Sequence, residues 1–178
     1  MRHAGYGEIR VVSQDPAWTG MFGAEAAALS SVLGEEALAI HHMGSTAILG
    51  IKAKPIVDIL IEVREIEKVD NFNPEVSGLG YEAHGEFGLL GRRYFTKNRG
   101  PIRTHNVHIY QRGNPEIERH LAFRDYMISH AEDARAYSRL KEELAEKFPA
   151  DIYEYMDGKD AFAKEMEMKA LTWNRSRS

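Results

Sequence analysis

The stretch "HMGSTAILGIKAKPIVDILIEV", His42 to Val63, carries the residue types on which chemistry can be built. A Gly-Ser pair, Gly44-Ser45, is followed after twelve residues by a single carboxylate, Asp58, in a run otherwise made of Ile, Val and Leu. Glycine loops bind phosphate through backbone amides, so the Walker A loop is the first comparison. That loop requires four residues between its glycines, a lysine directly after the second, and then a helix. Here five residues separate Gly44 from Gly50, Lys52 stands one place late, and Pro55 blocks a helix at that point. The stretch is not a P-loop. Taken alone, Gly44-Ser45 is a strand-ending turn, and Asp58 is either functional or a buried carboxylate bonded to backbone amides. Burying an unpaired charge is costly, which favours the functional reading.

The surrounding pattern predicts the elements that position these residues. Asp15-Pro16 reads as a cap and first helical residue of a helix ending near Gly34. Ala37–His42 is a short strand stopped by Gly44-Ser45, and Pro55–Val63 is a second. Along the second, Val57, Ile59, Ile61 and Val63 form one apolar face, while Ile56, Asp58, Leu60 and Glu62 share the other. A short helix follows around Glu65–Gly78, then strands at Tyr81–Glu86, Arg92–Thr96 and Arg103–Tyr110. After Asn114-Pro115 the apolar residues recur at helical spacing: Leu121, Met127, Ile128, then Tyr137, Leu140, Leu144 and Phe148. A last helix spans Ile152–Trp173, with the tail NRSRS frayed. The order predicts an α+β fold: a mixed sheet with packed helices and a C-terminal helical region, in one domain over residues 1–178.

Composition excludes several classes. With 43% apolar and 28% charged residues the chain is an ordinary globular one, and no run of about 18 apolar residues is present. MRHAGYGEIRVV lacks the apolar core of a signal peptide. Zero cysteines exclude disulfides and thiolate metal sites. A net charge of -4 argues against broad nucleic-acid binding. A cytoplasmic protein without a membrane partner is the expectation.

The motif of an apolar residue, Gly-Ser, a twelve-residue gap and a strand aspartate resembles the signature of the nucleotidyltransferase superfamily. "HMGSTAILGIKAKPIVDI" further resembles the GrpB family, whose members typically read close to "HIGSTAVPGLAAKPIIDI". "RTHNVHIY", "GNPEIERHLAFRDYMISH", "YSRLKEELA" and "YMDGKDAF" extend the resemblance from about Val11 to Phe162. The resemblance implies a nucleotidyltransferase-like sheet on which Gly44 and Ser45 hold a triphosphate. A strand then aims Asp58 at a divalent metal, Mg2+ or Mn2+, bridging phosphate oxygens.

The chain departs from that pattern on the metal strand. Active superfamily members carry a second carboxylate two residues on, roughly 6.6–7 Å along the strand and pointing the same way. That position is Leu60. Glu62 shares the face, but its Cα is about 13 Å from that of Asp58, too far to share one ion. On Arg103–Tyr110, where Thr104, Asn106, His108 and Tyr110 share a face, the family pattern resembles His-x-His. Asn106 departs from it and His108 is retained. Imidazole suits manganese or proton transfer, so His108 is assigned as general base or metal ligand. His105 and His108, like His41 and His42, fall on opposite strand faces, which argues against zinc.

Arg92, Arg93, Lys97, Arg99 and Arg103 crowd one hairpin-like segment. A solvated surface is their ordinary fate, but beside a triphosphate one or two would face phosphate, and Arg93 is the choice. Lys141 and Lys159 each lie four residues after a tyrosine, Tyr137 and Tyr155, so each pair shares a helix face. Exposed lysines are the plain reading; their place in family-like motifs adds triphosphate contact, as does the position of Lys54 before Pro55. His120 and Arg124, spaced i, i+4, read as structural.

Two functions remain open. One is transfer of a nucleotidyl group from a nucleoside triphosphate to an unidentified acceptor, with Asp58 on the metal and His108 on the acceptor proton. The other, favoured by Leu60, is a catalytically weak or inactive module that binds a nucleotide or anionic metabolite.

Overall fold

A computed structural model describes residues 8–178; the leader reading of the first seven residues lies outside them. The fold is α+β, and its residues form two compact units.

The sheet unit comprises Pro16–Met43 and Ile56–Ile117. Helix α1 (Ala17–Leu33) follows Pro16, whose φ of -57° and ψ of -23° are already helical, as a proline at a helix start should be. Gly34, at φ 54°, ends it. Strands β1 (Ala37–Met43) and β2 (Val57–Val63) come next. β2 starts at Val57, two residues later than expected, because Pro55 has no N–H to give a ladder. The helix expected over Glu65–Gly78 is divided into a 3-10 segment, Ile66–Phe72, and a short α2 (Asn73–Gly78) with Pro74 in its first turn. Strand β3 (Tyr81–Ala83) stops before Glu86, where Gly85 and Phe87 take φ of 61° and 47° and turn the chain. β4 (Arg92–Arg99) and β5 (Ile102–Gln111) are longer than expected. They close on the pair Arg99–Ile102, with Gly100 at φ 59° in a two-residue turn.

These strands form one mixed sheet in the order β1-β2-β5-β4-β3. β2 and β5 run parallel; every other pair is antiparallel. On β2 the face read as apolar is the core face: Val57, Ile59, Ile61 and Val63 are all 0% exposed. On the opposite face Leu60 is also fully buried, while Asp58 and Glu62 are half-buried.

The helical unit comprises, among the described residues, 8–15, Gly44–Pro55 and Glu118–Ser178. It holds a 3-10 turn at Ser45–Ala47 and three helices: α3 (Pro115–Ser129, from Glu118 on), α4 (Ala131–Lys147) and α5 (Ile152–Ser176). Its core joins Ile48 and Ile51 to Ala122, Tyr126, Met127, Ala134, Tyr137, Met166 and Ala170. Ile128, expected with Met127 on the apolar stripe, is instead half exposed. The Asp151 carboxylate caps α5, accepting from the Tyr153 and Glu154 amides at 3.1 and 3.2 Å. α5 does not fray at Trp173 but runs to Ser176. The Arg177 guanidinium lies 4.3 Å over the Trp173 ring, and the Ser176 hydroxyl donates to the Trp173 carbonyl. Among the described residues, no helix is long and apolar enough to cross a membrane.

Gly158 of α5 packs under Leu144 of α4 so closely that an added Cβ would stand 2.4 Å from a leucine methyl. Gly158→Ala gains about 1 kcal/mol of helix propensity. It is expected to lose more through overpacking, for a net destabilisation of about 1–2 kcal/mol. A urea melt checks this; a variant more stable than the parent would contradict that packing.

Candidate functional site

In the sheet unit the parallel ladder pairs Asp58 with Asn106 and Leu60 with His108, so these side chains share one face. Asn106 Nδ2 donates to Asp58 Oδ1 at 3.2 Å. Its Oδ1 accepts from the Tyr94 hydroxyl and from Arg103 Nη1, each at 3.1 Å. Both ends of the amide are thereby committed, and the flip that puts nitrogen toward Asp58 follows from its neighbours. His108 Nε2 lies 3.8 Å from Asp58 Oδ1, and His108 Nδ1 lies 3.4 Å from Arg92 Nη1. Guanidinium only donates, so Nδ1 accepts and the neutral ring carries its proton on Nε2, toward the carboxylate. In that tautomer the Nε2 side of His108 faces Asp58, although 3.8 Å is longer than a hydrogen bond.

Arg92 is the arginine that reaches this group. Its guanidinium lies 4.7 Å over the Tyr94 ring and donates to the backbone carbonyls of Glu86 and Phe87 at 3.2 and 2.8 Å. Arg93, the residue expected to face phosphate, pairs with Ile109 on the ladder and so lies on the other face of β4. There it makes a two-pronged bond to Asp70 at 2.7 and 3.1 Å. That bond, not burial, raises its pKa above the ordinary value. Glu62 is occupied by His41 Nε2 at 2.8 Å, consistent with its exclusion as a second metal carboxylate.

The residues present do not fit a resident Mg2+ or Mn2+ ion. Leu60 is fully buried where the second carboxylate would stand, and the one carboxylate accepts an amide. Among the described residues no group of three or more His, Cys, Asp or Glu side chains is arranged to hold an ion. A magnesium site needs several oxygen ligands at about 2.1 Å, and Asp58 supplies one carboxylate.

In the helical unit, Gly44 takes φ 72°, a left-handed value suited to glycine, and leads into the Ser45–Ala47 turn. Lys141 of α4 is 2% exposed, and its Nζ donates to Ser45 Oγ at 2.8 Å. The same ammonium lies 4.6 Å over the Tyr137 ring, as the four-residue spacing predicts. Burial, followed by the charges of Lys159 and Lys54, lowers its pKa from 10.5 to about 7. Lys54 and Lys159 each lie 5.4 Å from the centre of the Tyr155 ring. Tyr155 is fully buried, and its hydroxyl has no hydrogen-bond partner among the described residues. Lys52, by contrast, is engaged with Glu142. The helical unit thus brings together Ser45, Lys54, Lys141 and Lys159, the sheet unit brings together Asp58 and His108, and Arg93 joins neither group. Sequence reasoning missed Arg92, Tyr94 and the bridging role of Asn106.

A family model described as "GrpB protein" matches residues 8–169. The chain is 45% identical over 171 residues to the UPF0157 protein YqkA of Bacillus subtilis (strain 168), covering 96% of this chain and 50% of that protein. It therefore spans half the length of that relative. Identity to the glutamate-rich protein GrpB of Alkalihalophilus pseudofirmus is 34% over 164 residues, covering 90% of this chain and 94% of that one. Among solved structures, the conserved protein GrpB from Enterococcus faecalis superposes with a TM-score of 0.90 at 48% identity. That match covers 93% of this chain and 99% of the other.

Asn106→Asp places a second carboxylate against Asp58. Two such groups at hydrogen-bond distance cannot both ionise cheaply unless a cation joins them. Manganese is expected to raise the Tm of Asn106→Asp by several degrees while leaving the parent within about a degree. Equal shifts in parent and variant would show that the native donor set already binds the ion.

Proposed function

The chain belongs to the GrpB family, and on that premise we propose that it binds a nucleoside triphosphate or a comparable anionic metabolite through its phosphates. The observation that carries this reading is Lys141, a nearly fully buried amine held by the Ser45 hydroxyl with two further lysines as its charged neighbours. An amine in that setting is held near half-protonation at neutral pH, and a polyanion offsets both the burial and the like charges. The reading needs no metal held by the protein.

A second reading, nucleotidyl transfer to a hydroxyl acceptor, is favoured by the placement of Asp58 and His108 on one face of the sheet, 3.8 Å apart. In this reading Asp58 accepts the acceptor's hydroxyl proton, and Asn106, donating to it at 3.2 Å, holds the carboxylate in place beside His108. Pyrophosphate release from ATP with candidate hydroxyl acceptors, abolished in Asp58→Asn, would select it over binding alone.

The pH dependence follows from Lys141. The unfolded amine titrates near 10.5 and the folded one near 7, so between these values the unfolded chain holds the extra proton and stability rises with pH. A bound polyphosphate favours the charged amine, so above pH 7 binding draws a proton from solvent and affinity falls as pH rises. Calorimetry with ATP and with tripolyphosphate at pH 8, in buffers of different ionisation heat, is expected to show uptake approaching one proton. Lys141→Met should abolish that uptake and weaken both ligands by about tenfold or more. Absence of binding by either polyanion would sink the proposal.

A further inference from the structure

Gly44, at φ 72°, turns the chain so that Ser45 opens the short 3-10 turn Ser45–Ala47. Ser45 is half-buried and keeps part of its surface on solvent, whereas Lys141 on α4 is 2% exposed. Among the described residues, their 2.8 Å contact is the one hydrogen bond of either side chain, and no carboxylate pairs with the amine. A buried lysine that stays charged is normally matched by such a partner. Lys141 instead has the Tyr137 ring of its own helix 4.6 Å from Nζ, and the charges of Lys159 from α5 and Lys54 from the segment before β2. Burial and those two charges bring its pKa to about 7, so near neutral pH a large share of the amine carries a lone pair.

A serine hydroxyl is a weak nucleophile by itself, and a base within about 2.6–3.2 Å is what activates it. The Ser45–Lys141 contact meets that distance. Its direction reverses with the proton: the ammonium donates to Oγ, and the neutral amine accepts the Oγ proton. The pair therefore sets a reactive oxygen on the residue that reaches solvent and a proton store on the one that does not. Lys54 and Lys159 add positive charge, which suits a leaving group that departs as an anion.

We propose that Ser45 is a nucleophile with Lys141 as its general base, and that the pair takes the acyl group of an acyl phosphate. Ser45 Oγ attacks the carbonyl carbon and passes its proton to Lys141 Nζ. The bond from that carbon to the phosphate oxygen breaks, and Lys141 gives the proton to the departing phosphate. The products are an acyl ester on Ser45, hydrogen phosphate and a neutral Lys141. That amine next takes a proton from water, whose oxygen displaces Oγ from the acyl carbon. Oγ recovers the proton from Lys141, and the carboxylic acid leaves. The inference rests on polyphosphate binding only for the fit of the phosphate; the reactivity of Ser45 comes from its contact with Lys141.

Two reagents test it on the full chain, with the modified residues located by peptide mass spectrometry. A fluorophosphonate reports an activated hydroxyl without needing a phosphate site. It is expected to label Ser45 about a hundredfold or more faster than the exposed Ser31. The rate should rise with pH and level off above about 7, as Lys141 becomes neutral. Acetyl phosphate should leave an acetyl ester on Ser45 and be hydrolysed with turnover. Ser45→Ala and Lys141→Met should abolish both reactions in chains that still melt cooperatively. Ser45→Ala leaves the buried amine in place and keeps the test sharp if Lys141→Met does not fold. Ser45 labelled no faster than Ser31 overturns the nucleophile, and an acetyl group on the Lys141 amine in place of Ser45 overturns the base. Fluorophosphonate labelling without acetyl transfer overturns the substrate class. Tripolyphosphate binding without Ser45 reactivity overturns this inference alone, and Ser45 reactivity without tripolyphosphate binding overturns the polyphosphate reading alone.

Discussion

The parallel pairing of β2 with β5 is the constraint on which the rest of the sheet unit depends. Parallel strands cannot be joined by a tight turn. Between Val63 and Ile102 the chain makes its 3-10 segment, α2, β3 and β4 before it inserts β5 beside β2. The register of that insertion puts Asn106 and His108 on the face of Asp58, and His105 on the face of Val57. A slip of one residue would exchange the two sets, moving His105 beside Asp58 and burying Asn106 and His108 against α1. The apolar residues of β5 exclude that slip: Val107 and Ile109 are buried without exposure beside Ile59 and Ile61, and each would be turned out of the core.

Once register is fixed, the protons follow from groups that have no choice. Arg92 and Arg103 can only donate, so His108 Nδ1 and Asn106 Oδ1 accept from them. Thr104 has given its proton to a backbone carbonyl, so it accepts from His105. The two histidines of β5 end in opposite states on opposite faces. His108 accepts at Nδ1 from Arg92, while His105 donates from Nδ1 to Thr104. The same residue type, three positions apart, is set to different chemistry by one arginine and one threonine.

Much of this frame was legible in the sequence, and the parts that were not share a cause. The element order, the buried face of β2, the isolation of Asp58 and the face shared by Asn106 and His108 follow from period-two alternation and turn residues. The pairing of Lys141 with Tyr137 follows from helical spacing. What escaped depends on register or on long-range partners. Arg92 and Arg93 are adjacent, and only the ladder decides which faces His108; alternation alone gives even odds. Asn106 read as a departure because a lost histidine is visible in sequence, whereas an amide joining Asp58 to Tyr94 and Arg103 is not. The Ser45–Lys141 bond spans 96 residues and leaves no local trace. The tail beyond Trp173 read as frayed because its residues are polar, but Arg177 covers the Trp173 ring and the helix continues beneath it.

Two buried polar groups stand where an apolar side chain could serve: the Lys141 amine and the His105 ring. Each unit has an apolar core sufficient to order its elements, and neither core requires a buried amine or a bare imidazole nitrogen. Methionine at 141 or phenylalanine at 105 would fill comparable volume without desolvating a charge or leaving an acceptor unmet. Keeping Lys141 and His105 in those places makes the free protein less stable than its backbone allows. On the proposed reading, a polyanion that favours the charged Lys141 recovers part of that difference as binding energy. In the helical unit the Lys141 amine is held by the Ser45 hydroxyl and has the charges of Lys159 and Lys54 as neighbours, the setting in which a polyanion has most to offset.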